Sequence, residues 1–262
     1  MPLAEEITSR SNERLKAVKR VRDGKDTERF VVEGRRLFFE LGNSTIQIEA
    51  VFATKEFIAK HDRISELRSG DSYQLFPLSD SLLSTISETK NPQGVVAVCR
   101  RPAFSPLEHS KGSEVAILLH NLSNPGNLGA VIRTAEAFEA SYIGFSGNCC
   151  DPFHPAAVRA SMGSVFRSKL ISKREYFEAV AKFREAGFVP IAADIKGASS
   201  YRGALWPSSP LIIMGSEAHG LDDSELEAAD HIFRIPINTS VESLNISVAA
   251  GILLSEAAFN RS

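Results

Sequence analysis

The sequence predicts an α/β protein with two domains, and three observations support this. Residues 30–100 alternate short apolar segments with amphipathic or polar ones, as expected of a compact α/β domain. Residues 101–114 break the alternation with two prolines, a glycine and scattered charges, which is typical of a linker. From Val115 a second alternation begins. Its apolar segments are continuous, as in parallel strands that are covered on both faces.

These boundaries predict an N-terminal domain over residues 1–104, a linker over 105–113 and a C-terminal domain over 114–262. In the first domain, segments rich in valine, isoleucine and phenylalanine predict strands, and the segments between them predict helices. The predicted strands are residues 30–34, 48–54, 72–78 and 95–99, and the predicted helices are residues 35–41, a polar helix from Lys55 to about Arg68, and residues 79–88.

The second domain is predicted to contain five apolar strands separated by amphipathic helices, which is the pattern of a parallel α/β sheet. The last helix is the longest and the most apolar of the set. The predicted strands are residues 115–119, 142–145, 189–193, 211–214 and 231–235, and the predicted helices are residues 127–140, 155–163, 174–187, 222–229 and 243–259.

The composition excludes several classes of protein. The longest apolar segments, residues 115–119 and 211–214, are far shorter than the roughly 20 residues of a membrane span. The N-terminal residues do not resemble a secretion signal, so a cytoplasmic protein is expected. Cys99, Cys149 and Cys150 lack the spacing of a disulfide framework or a zinc site, so we expect free thiols and no metal.

The net charge of −2 and the pI near 6.3 imply that a nucleic-acid partner would be bound by a local basic patch. One such patch lies near the N-terminus, where only Glu13 opposes the positive charges. Its residues are Arg10, Arg14, Lys16, Lys19, Arg20 and Arg22.

Three segments of the second half place polar side chains beside a turn or a small residue at the end of an apolar run, which is how sites form at strand ends. They are NPGNLGAVIRTAEAF at 124–138, IMGSEAHGL at 213–221 and IPINTSVESLNIS at 235–247. Taken alone, Asn127 and Ser243 are good helix N-caps, and Glu217 is a suitable carboxylate before a helix. These purely structural roles at helix N-termini remain alternatives to a role in a functional site.

Two further side chains in these segments have similar alternatives. Arg133 lies off the apolar stripe of its helix, where it either forms a surface ion pair with Glu136 or belongs to a site. His219 has no neighbour at metal-ligand spacing and is interpreted as a loop residue. Gly215 would let a ligand approach the backbone closely.

Together and in this order, the three segments resemble the SpoU branch of the SPOUT methyltransferases, which transfer a methyl group from S-adenosylmethionine to a ribose 2′-hydroxyl in RNA. DPFHPAAVRASMGSVF at 151–166 resembles a fourth segment of that family. ITSRSNERLKAVKRV, RFVVEGRRLFFEL and SETKNPQGVVAVC are similar to its substrate-binding domain, whose fold is shared with small RNA-binding ribosomal proteins. The resemblance covers nearly the whole chain and is looser at residues 40–75.

The resemblance implies roles for individual residues. The catalytic residues would be Asn127, Arg133, Glu217, Ser243 and Asn245. The S-adenosylmethionine site would include Gly215 and backbone groups near Ile235 and Leu244. The RNA-binding residues would be Arg10, Arg14, Lys16, Lys19, Arg20, Arg35, Arg159 and Ser161, although Arg159 and Ser161 are equally compatible with a buried polar pair. Thr239 stands where the family often has glycine, which could alter the loop near the cofactor.

Arg133 occupies the position of the family's nominated activator of the 2′-hydroxyl. A guanidinium group has an ordinary pKa of roughly 12.5 to 13.8, so it is a poor base. The hypothesis is therefore that Arg133 clamps a phosphate and stabilises developing negative charge, and the role of a base remains the alternative.

The resemblance also implies a trefoil knot in the C-terminal domain, although chains rarely thread themselves. It implies a homodimer in which the last helix packs near the helix of the first segment. Ribosomal RNA is the preferred substrate, and transfer RNA is the alternative.

Two other classes of protein are alternatives. A dinucleotide-dependent oxidoreductase requires a G-x-G-x-x-G turn after the first strand of the sheet, and NLSNPGNLG lacks that pattern. A non-catalytic RNA-binding protein would use the basic N-terminal patch without the three polar segments.

Overall fold

The computed structural model describes residues 4–61, 73–197 and 199–260. The chain forms two compact units, one comprising Met1–Ala103 and Pro152–Arg167, the other Phe104–Asp151 and Ser168–Ser262. In the described part of the chain, no helix has the length and apolar character to cross a bilayer. The strands are β1 Arg29–Glu33, β2 Ile48–Thr54, β3 Gln74–Leu78, β4 Val95–Arg100, β5 Ala116–His120, β6 Tyr142–Ser146, β7 Val189–Ala193, β8 Ser199–Ser200, β9 Pro210–Met214 and β10 His231–Arg234. The helices are α1 Glu13–Arg22, α2 Arg35–Glu40, α3 Lys55–Lys60, α4 Asp80–Ile86, α5 Pro125–Ala137, α6 Pro155–Ser161, α7 Tyr176–Glu185, α8 Asp223–Glu227 and α9 Ile246–Phe259.

The first unit is built on a four-stranded sheet in the order β1-β4-β2-β3. β4 runs antiparallel to both of its neighbours, whereas β3 runs parallel to β2. α1 begins where the Asn12 side chain accepts a hydrogen bond from the Arg14 backbone N–H at 2.9 Å. Its buried residues Leu15, Val18 and Val21 join the core of this unit, so its basic residues remain at the surface.

The second unit is built on a six-stranded sheet in the order β6-β5-β9-β7-β10-β8. Every strand pair in it is parallel, which confirms the predicted parallel α/β sheet. All five residues of β5 and of β9 are buried, because helices cover both faces of the central strands. The carboxyl ends of β9, β7 and β10 therefore meet at one edge.

Residues 152–167 differ from the predicted division, because they cluster with the first unit. The Phe153 ring lies 4.9 Å from the Phe30 ring, and Phe166 lies 6.1 Å from it. Arg167 adds an ion pair with Glu40 at 2.9 Å. Because of these aromatic contacts with β1, the segment packs on the first unit, although in the sequence it lies between two parts of the second unit.

The predicted linker also differs from the expectation, because it packs on the second unit. The Ser105 backbone N–H donates to the Leu170 carbonyl at 2.8 Å, and the Ser110 and Ser209 hydroxyls lie 2.7 Å apart. Its prolines accordingly mark an ordered segment. The helix predicted from Lys55 to about Arg68 is described as far as Lys60, and the rest of that prediction lies outside the described residues.

Candidate functional site

A cavity of about 480 Å³ lies at the carboxyl ends of β9, β7 and β10 in the second unit. The loops that follow these three strands line it, together with the start of α9 and Asn127 of α5. The lining includes seven residues with predicted roles: Asn127, Gly215, Glu217, Ile235, Ser243, Leu244 and Asn245. The fold thus brings together parts of all three polar segments that the sequence singled out.

Three of these side chains form a hydrogen-bonded group, here called the polar chain, that consists of Asn127, Glu217 and Asn245. The Asn127 Nδ2 donates to Glu217 Oε1 at 2.8 Å, and Asn245 Nδ2 donates to Asn127 Oδ1 at 3.2 Å. Because a carboxylate only accepts hydrogen bonds, the Glu217 contact fixes which end of the Asn127 amide points toward it. The polar chain therefore holds three distant segments in one orientation.

The N-cap roles considered for Asn127 and Ser243 are wrong. Asn124 caps α5, accepting from the backbone N–H groups of Gly126 and Asn127 at 2.8 and 3.1 Å. Asn245, and not Ser243, caps α9 by accepting from the Ser247 N–H at 2.9 Å. Because Asn124 supplies the cap, the Asn127 side chain is free to face the cavity.

Glu217 is likewise not the carboxylate that begins α8. That helix starts with a capping box in which Asp222 and Glu225 exchange hydrogen bonds, each at 2.8 Å. Glu217 instead lies in the preceding loop and contacts Asn127.

A glycine is required at position 215 because the backbone of Gly220 lies very close to it. A Cβ atom at this position would lie 2.3 Å from the Gly220 carbonyl carbon. Ser216 and Gly220 close the loop through two backbone hydrogen bonds of 3.1 and 3.0 Å. The glycine was expected to make room for a ligand, but the tightest contact is with this loop, which carries Glu217 and His219.

Arg133 is the predicted catalytic residue that does not line this cavity. It is exposed on α5, and among the described residues it forms neither a hydrogen bond nor an ion pair, so the predicted surface pair with Glu136 is wrong. Arg133 lies six residues beyond Asn127, which corresponds to about 9 Å along the helix and about 240° around it. Within one chain, the two side chains therefore face different directions.

The charged residues around the cavity are mostly acidic. Asp194, Glu217 and Glu242 line it with His219, and no lysine or arginine is among the described lining residues. Such a site favours a positively charged ligand over the anionic diphosphate of a dinucleotide. Asp194 and Glu242 were missed by the sequence reasoning, although Asp194 directly follows an apolar strand and so carried the same signal as the residues that were found.

The cysteines near this edge of the sheet are unsuited to nucleophilic chemistry. Burial raises the pKa of the Cys150 thiol to about 11, and repulsion from Cys149, Asp151 and Glu217 acts in the same direction. Burial also raises the pKa of Cys149. All three cysteines lie in the described part of the chain and are free thiols, and no group of residues suited to a metal ion occurs there.

The basic residues that the sequence singled out in the first unit fall into two groups: those predicted to bind RNA, and Arg22, which belongs to the basic patch but has no predicted contact with RNA. Arg10, Arg14, Lys16, Arg20 and Arg35 are exposed, and Lys19 is partly exposed. Arg22 has a structural role, because its guanidinium donates to the Thr85 and Ser87 carbonyls. The exposed basic patch therefore consists of the predicted residues other than Arg22.

The segment around α6 does not behave as predicted. Ser161 is fully buried and its hydroxyl donates to the Val158 carbonyl at 2.8 Å, so the predicted contact with RNA is wrong. Arg159 forms an ion pair with Glu88 and is half-buried. The two residues are not a pair with each other, because each has a different partner.

The parallel sheet and its acidic edge cavity define a class of protein: an α/β protein that binds a small cationic ligand at the ends of its central strands. The chain belongs to the SpoU rRNA methylase family, whose model matches residues 114–255. A second model, the MRM3-like substrate binding domain, matches residues 12–97.

Named relatives are similar over most of their length. The 23S rRNA (guanosine(2553)-2′-O)-methyltransferase RlmP of Bacillus subtilis is 29% identical, over 95% of this chain and 97% of that protein. The 23S rRNA (uridine(2479)-2′-O)-methyltransferase of Streptomyces viridochromogenes is 30% identical, over 74% of this chain and 70% of that protein. The crystal structure of the AdoMet-bound rRNA methyltransferase of Sinorhizobium meliloti matches with a TM-score of 0.88, 29% identity and 98% of each chain covered.

Proposed function

We propose that this protein transfers a methyl group from S-adenosylmethionine to a ribose 2′-hydroxyl of RNA, with large-subunit ribosomal RNA as its substrate. The observation that carries the proposal is the acidic cavity bordered by the polar chain in a member of the SpoU family. Two relatives that are named for 2′-O-methylation of 23S rRNA support the choice of RNA. We expect such an enzyme to act in the cytoplasm, where it meets its RNA.

The chemistry of the cavity fits the cofactor. S-adenosylmethionine, when bound, supplies a methyl group on a positively charged sulfur. Glu217 and Glu242 complement that charge, whereas Gly215, Ile235 and Leu244 supply the lining on which the nucleoside rests. The absence of lysine and arginine among the described lining residues argues against NAD.

The protein's own side chains would orient the reacting oxygen. Methyl transfer is an in-line displacement, so the 2′-oxygen must be held in a fixed direction. Asn127, Glu217 and Asn245 are already held together, and Ser243 lies beside them in the cavity lining. Arg133 is assigned to clamp the adjacent phosphate and stabilise negative charge on the oxygen.

The position of Arg133 favours a site that is completed by a second copy of the chain. Because Arg133 faces away from the cavity of its own chain, we propose that it acts at the cavity of a partner in a homodimer. α9 supports this proposal: it is apolar on all sides, yet Val248 is 50% exposed and Phe259 is 77% exposed. α9 packs against α5, the helix that carries Arg133.

A trefoil knot is part of the same proposal. After β10 the chain returns past the ends of β7 and β9 to reach α9, which packs against α5 and β9. On the way, residues 242–246 line the cavity together with the loop 215–220. A chain threaded through that loop would hold the cofactor site rigidly.

Three experiments test the proposed function. Calorimetry with S-adenosylmethionine and with NAD should show heat for the first ligand alone. Tritiated S-adenosylmethionine should then label 23S rRNA, and 2′-O-methyl mapping in a deletion strain should show one missing position. Label in transfer RNA alone would establish the alternative substrate, and RNA binding without any label would identify a non-catalytic binding protein.

A further inference from the structure

Asp194 lines the proposed cofactor cavity and has no assigned role. It directly follows β7, which lies between β9 and β10 in the sheet. Its neighbours along this edge are therefore the loop 214–220 and Ile235, and all of these residues line the cavity. In the described part of the chain, β7 is the only strand whose two neighbours in the sheet are both immediately followed by residues that line the cavity.

The Asp194 carboxylate is held in one orientation. Its Oδ1 accepts the Lys196 backbone N–H at 2.7 Å, and its backbone carbonyl accepts the Gly197 N–H at 3.2 Å. A Cβ atom at Gly197 would lie 2.8 Å from the Ile232 carbonyl oxygen, so this turn is packed tightly on β10. Backbone contacts of this kind leave the carboxylate little freedom to rotate.

The other carboxylate oxygen is available to a ligand. Within the described part of the chain, no donor bonds to Asp194 Oδ2, and the nearby Lys196 ammonium instead contacts Asp223 at 2.8 Å. A Cβ atom at Gly220 would lie 3.5 Å from Oδ2, so the glycine keeps the space beside this oxygen open. Asp194 is half-buried, which strengthens any hydrogen bond that Oδ2 accepts.

We propose that Asp194 is a cofactor-binding residue whose Oδ2 accepts hydrogen bonds from the ribose hydroxyls of S-adenosylmethionine. The proposal rests on the proposed function. Vicinal hydroxyls are paired neutral donors, and a carboxylate at a strand end is a common partner for the ribose of a nucleotide cofactor in parallel α/β sheets. The oriented Oδ2 makes Asp194 a determinant of affinity for the adenosine half of the ligand.

The test uses Asp194→Asn. An asparagine retains the oxygen that accepts a hydrogen bond from the Lys196 N–H. It replaces Oδ2 with an NH2 group, which cannot accept a hydrogen bond from a ribose hydroxyl. Calorimetry is performed with S-adenosylhomocysteine and with 5′-methylthioadenosine, which lacks the amino-acid portion. We expect both ligands to bind about 10- to 100-fold more weakly, as for loss of a hydrogen bond to a charged group.

A thermodynamic cycle makes the assignment specific. The 2′,3′-dideoxy analogue of 5′-methylthioadenosine should bind the wild type and Asp194→Asn equally, because the hydroxyl contact is already absent. Asp194→Ser, whose hydroxyl can also accept the Lys196 N–H, serves as a second variant and should lose the same affinity. Asp223→Asn is the matched control, since this exposed partner of Lys196 lies outside the cavity and its loss should not change affinity.

Three results would overturn the inference. Weakened binding of S-adenosylhomocysteine with unchanged 5′-methylthioadenosine would assign Asp194 to the amino-acid end of the ligand. Unchanged binding of both would remove Asp194 from the site, and equal weakening of the dideoxy analogue would mean a general distortion of the cavity. A wild type that binds no ligand would instead refute the proposed function, so the two failures are distinguishable.

Discussion

Asn127 uses both ends of its amide, and this makes it the centre of the polar chain. Its Nδ2 donates to Glu217 while its Oδ1 accepts from Asn245, at 2.8 and 3.2 Å. An alanine at this position would leave Glu217 unoriented without opening the buried core, because Asn127 is only half-buried. Its contribution should therefore be seen in turnover more than in folding.

We predict that Asn127→Ala lowers kcat about 100-fold, the usual magnitude for loss of an oriented polar group at a reacting centre. The unfolding temperature and the affinity for S-adenosylmethionine should change little. Steady-state methyl transfer, calorimetry and thermal denaturation measure the three quantities. A kcat within threefold of the wild type would show that Asn127 does not orient the reacting groups.

Arg133 is suited to a test of the phosphate clamp, because it is exposed and forms no hydrogen bond or ion pair with the described part of its own chain. Arg133→Lys keeps the charge but loses the planar fork that binds a phosphate through two hydrogen bonds. We predict a kcat/KM for RNA about 10- to 100-fold lower, with stability unchanged within about 0.5 kcal/mol. Arg184→Lys, in an exposed ion pair with Asp230, is the control. Near-normal turnover of Arg133→Lys would exclude the clamp.

At the scale of elements, the loop after β9 depends on the absence of a side chain at Gly215. In Gly215→Ala the new Cβ would lie 2.3 Å from the Gly220 carbonyl carbon, so the loop must shift and carry Glu217 with it. We predict a loss of about 1 to 3 kcal/mol in unfolding free energy and weaker cofactor binding. Chemical denaturation and calorimetry measure these effects.

Gly251→Ala is the matched control for that substitution. Its Cβ would meet the Thr134 side chain at 3.5 Å, an ordinary contact, and alanine is favoured over glycine inside a helix such as α9. We expect equal or slightly higher stability. If both substitutions had the same effect, the closed loop at Gly215 would not be the cause.

The elements that could be predicted from the sequence are those whose signal is local. The continuous apolar runs at β5 and β9 identified the strands of a parallel sheet, because burial on both faces excludes polar residues. β8 was not predicted, since its two residues, Ser199 and Ser200, are polar and too few to show a period. The caps Asn124 and Asn245 were missed by two or three positions, as several polar residues compete near each helix start.

Tertiary contacts explain the remaining differences. Phe153 and Phe166 attach residues 152–167 to β1, and no local pattern reveals which aromatic ring of another segment will be their partner. Asp194 carried the local signal of a polar residue at a strand end, but only the order of the strands shows that it lies beside the loops that line the cavity. Sequence motifs indicate which residues have functional side chains, whereas the order of the strands in the sheet determines which of these side chains lie close together.

At the scale of the whole molecule, the separation of Arg133 from the polar chain leads to a prediction about the assembly. If each site combines the polar chain of one copy with Arg133 of another, Arg133→Ala and Asn127→Ala should each be inactive alone and active when mixed. Random exchange makes half of the dimers mixed, and each mixed dimer contains one intact site. The mixture should therefore recover about a quarter of wild-type activity.

The mixture is prepared by co-expression or by mild denaturation and refolding together, and methyl transfer to RNA is measured against the separate variants. Val248→Arg, placed on the exposed face of α9, should convert the protein to a monomer by light scattering and abolish the recovery. Binding of S-adenosylmethionine by Asn127→Ala shows that its cavity remains formed. An assembled dimer that recovers no activity would show that one site does not combine the polar chain of one copy with Arg133 of another. Full activity of Arg133→Ala alone would instead place Arg133 outside the reaction.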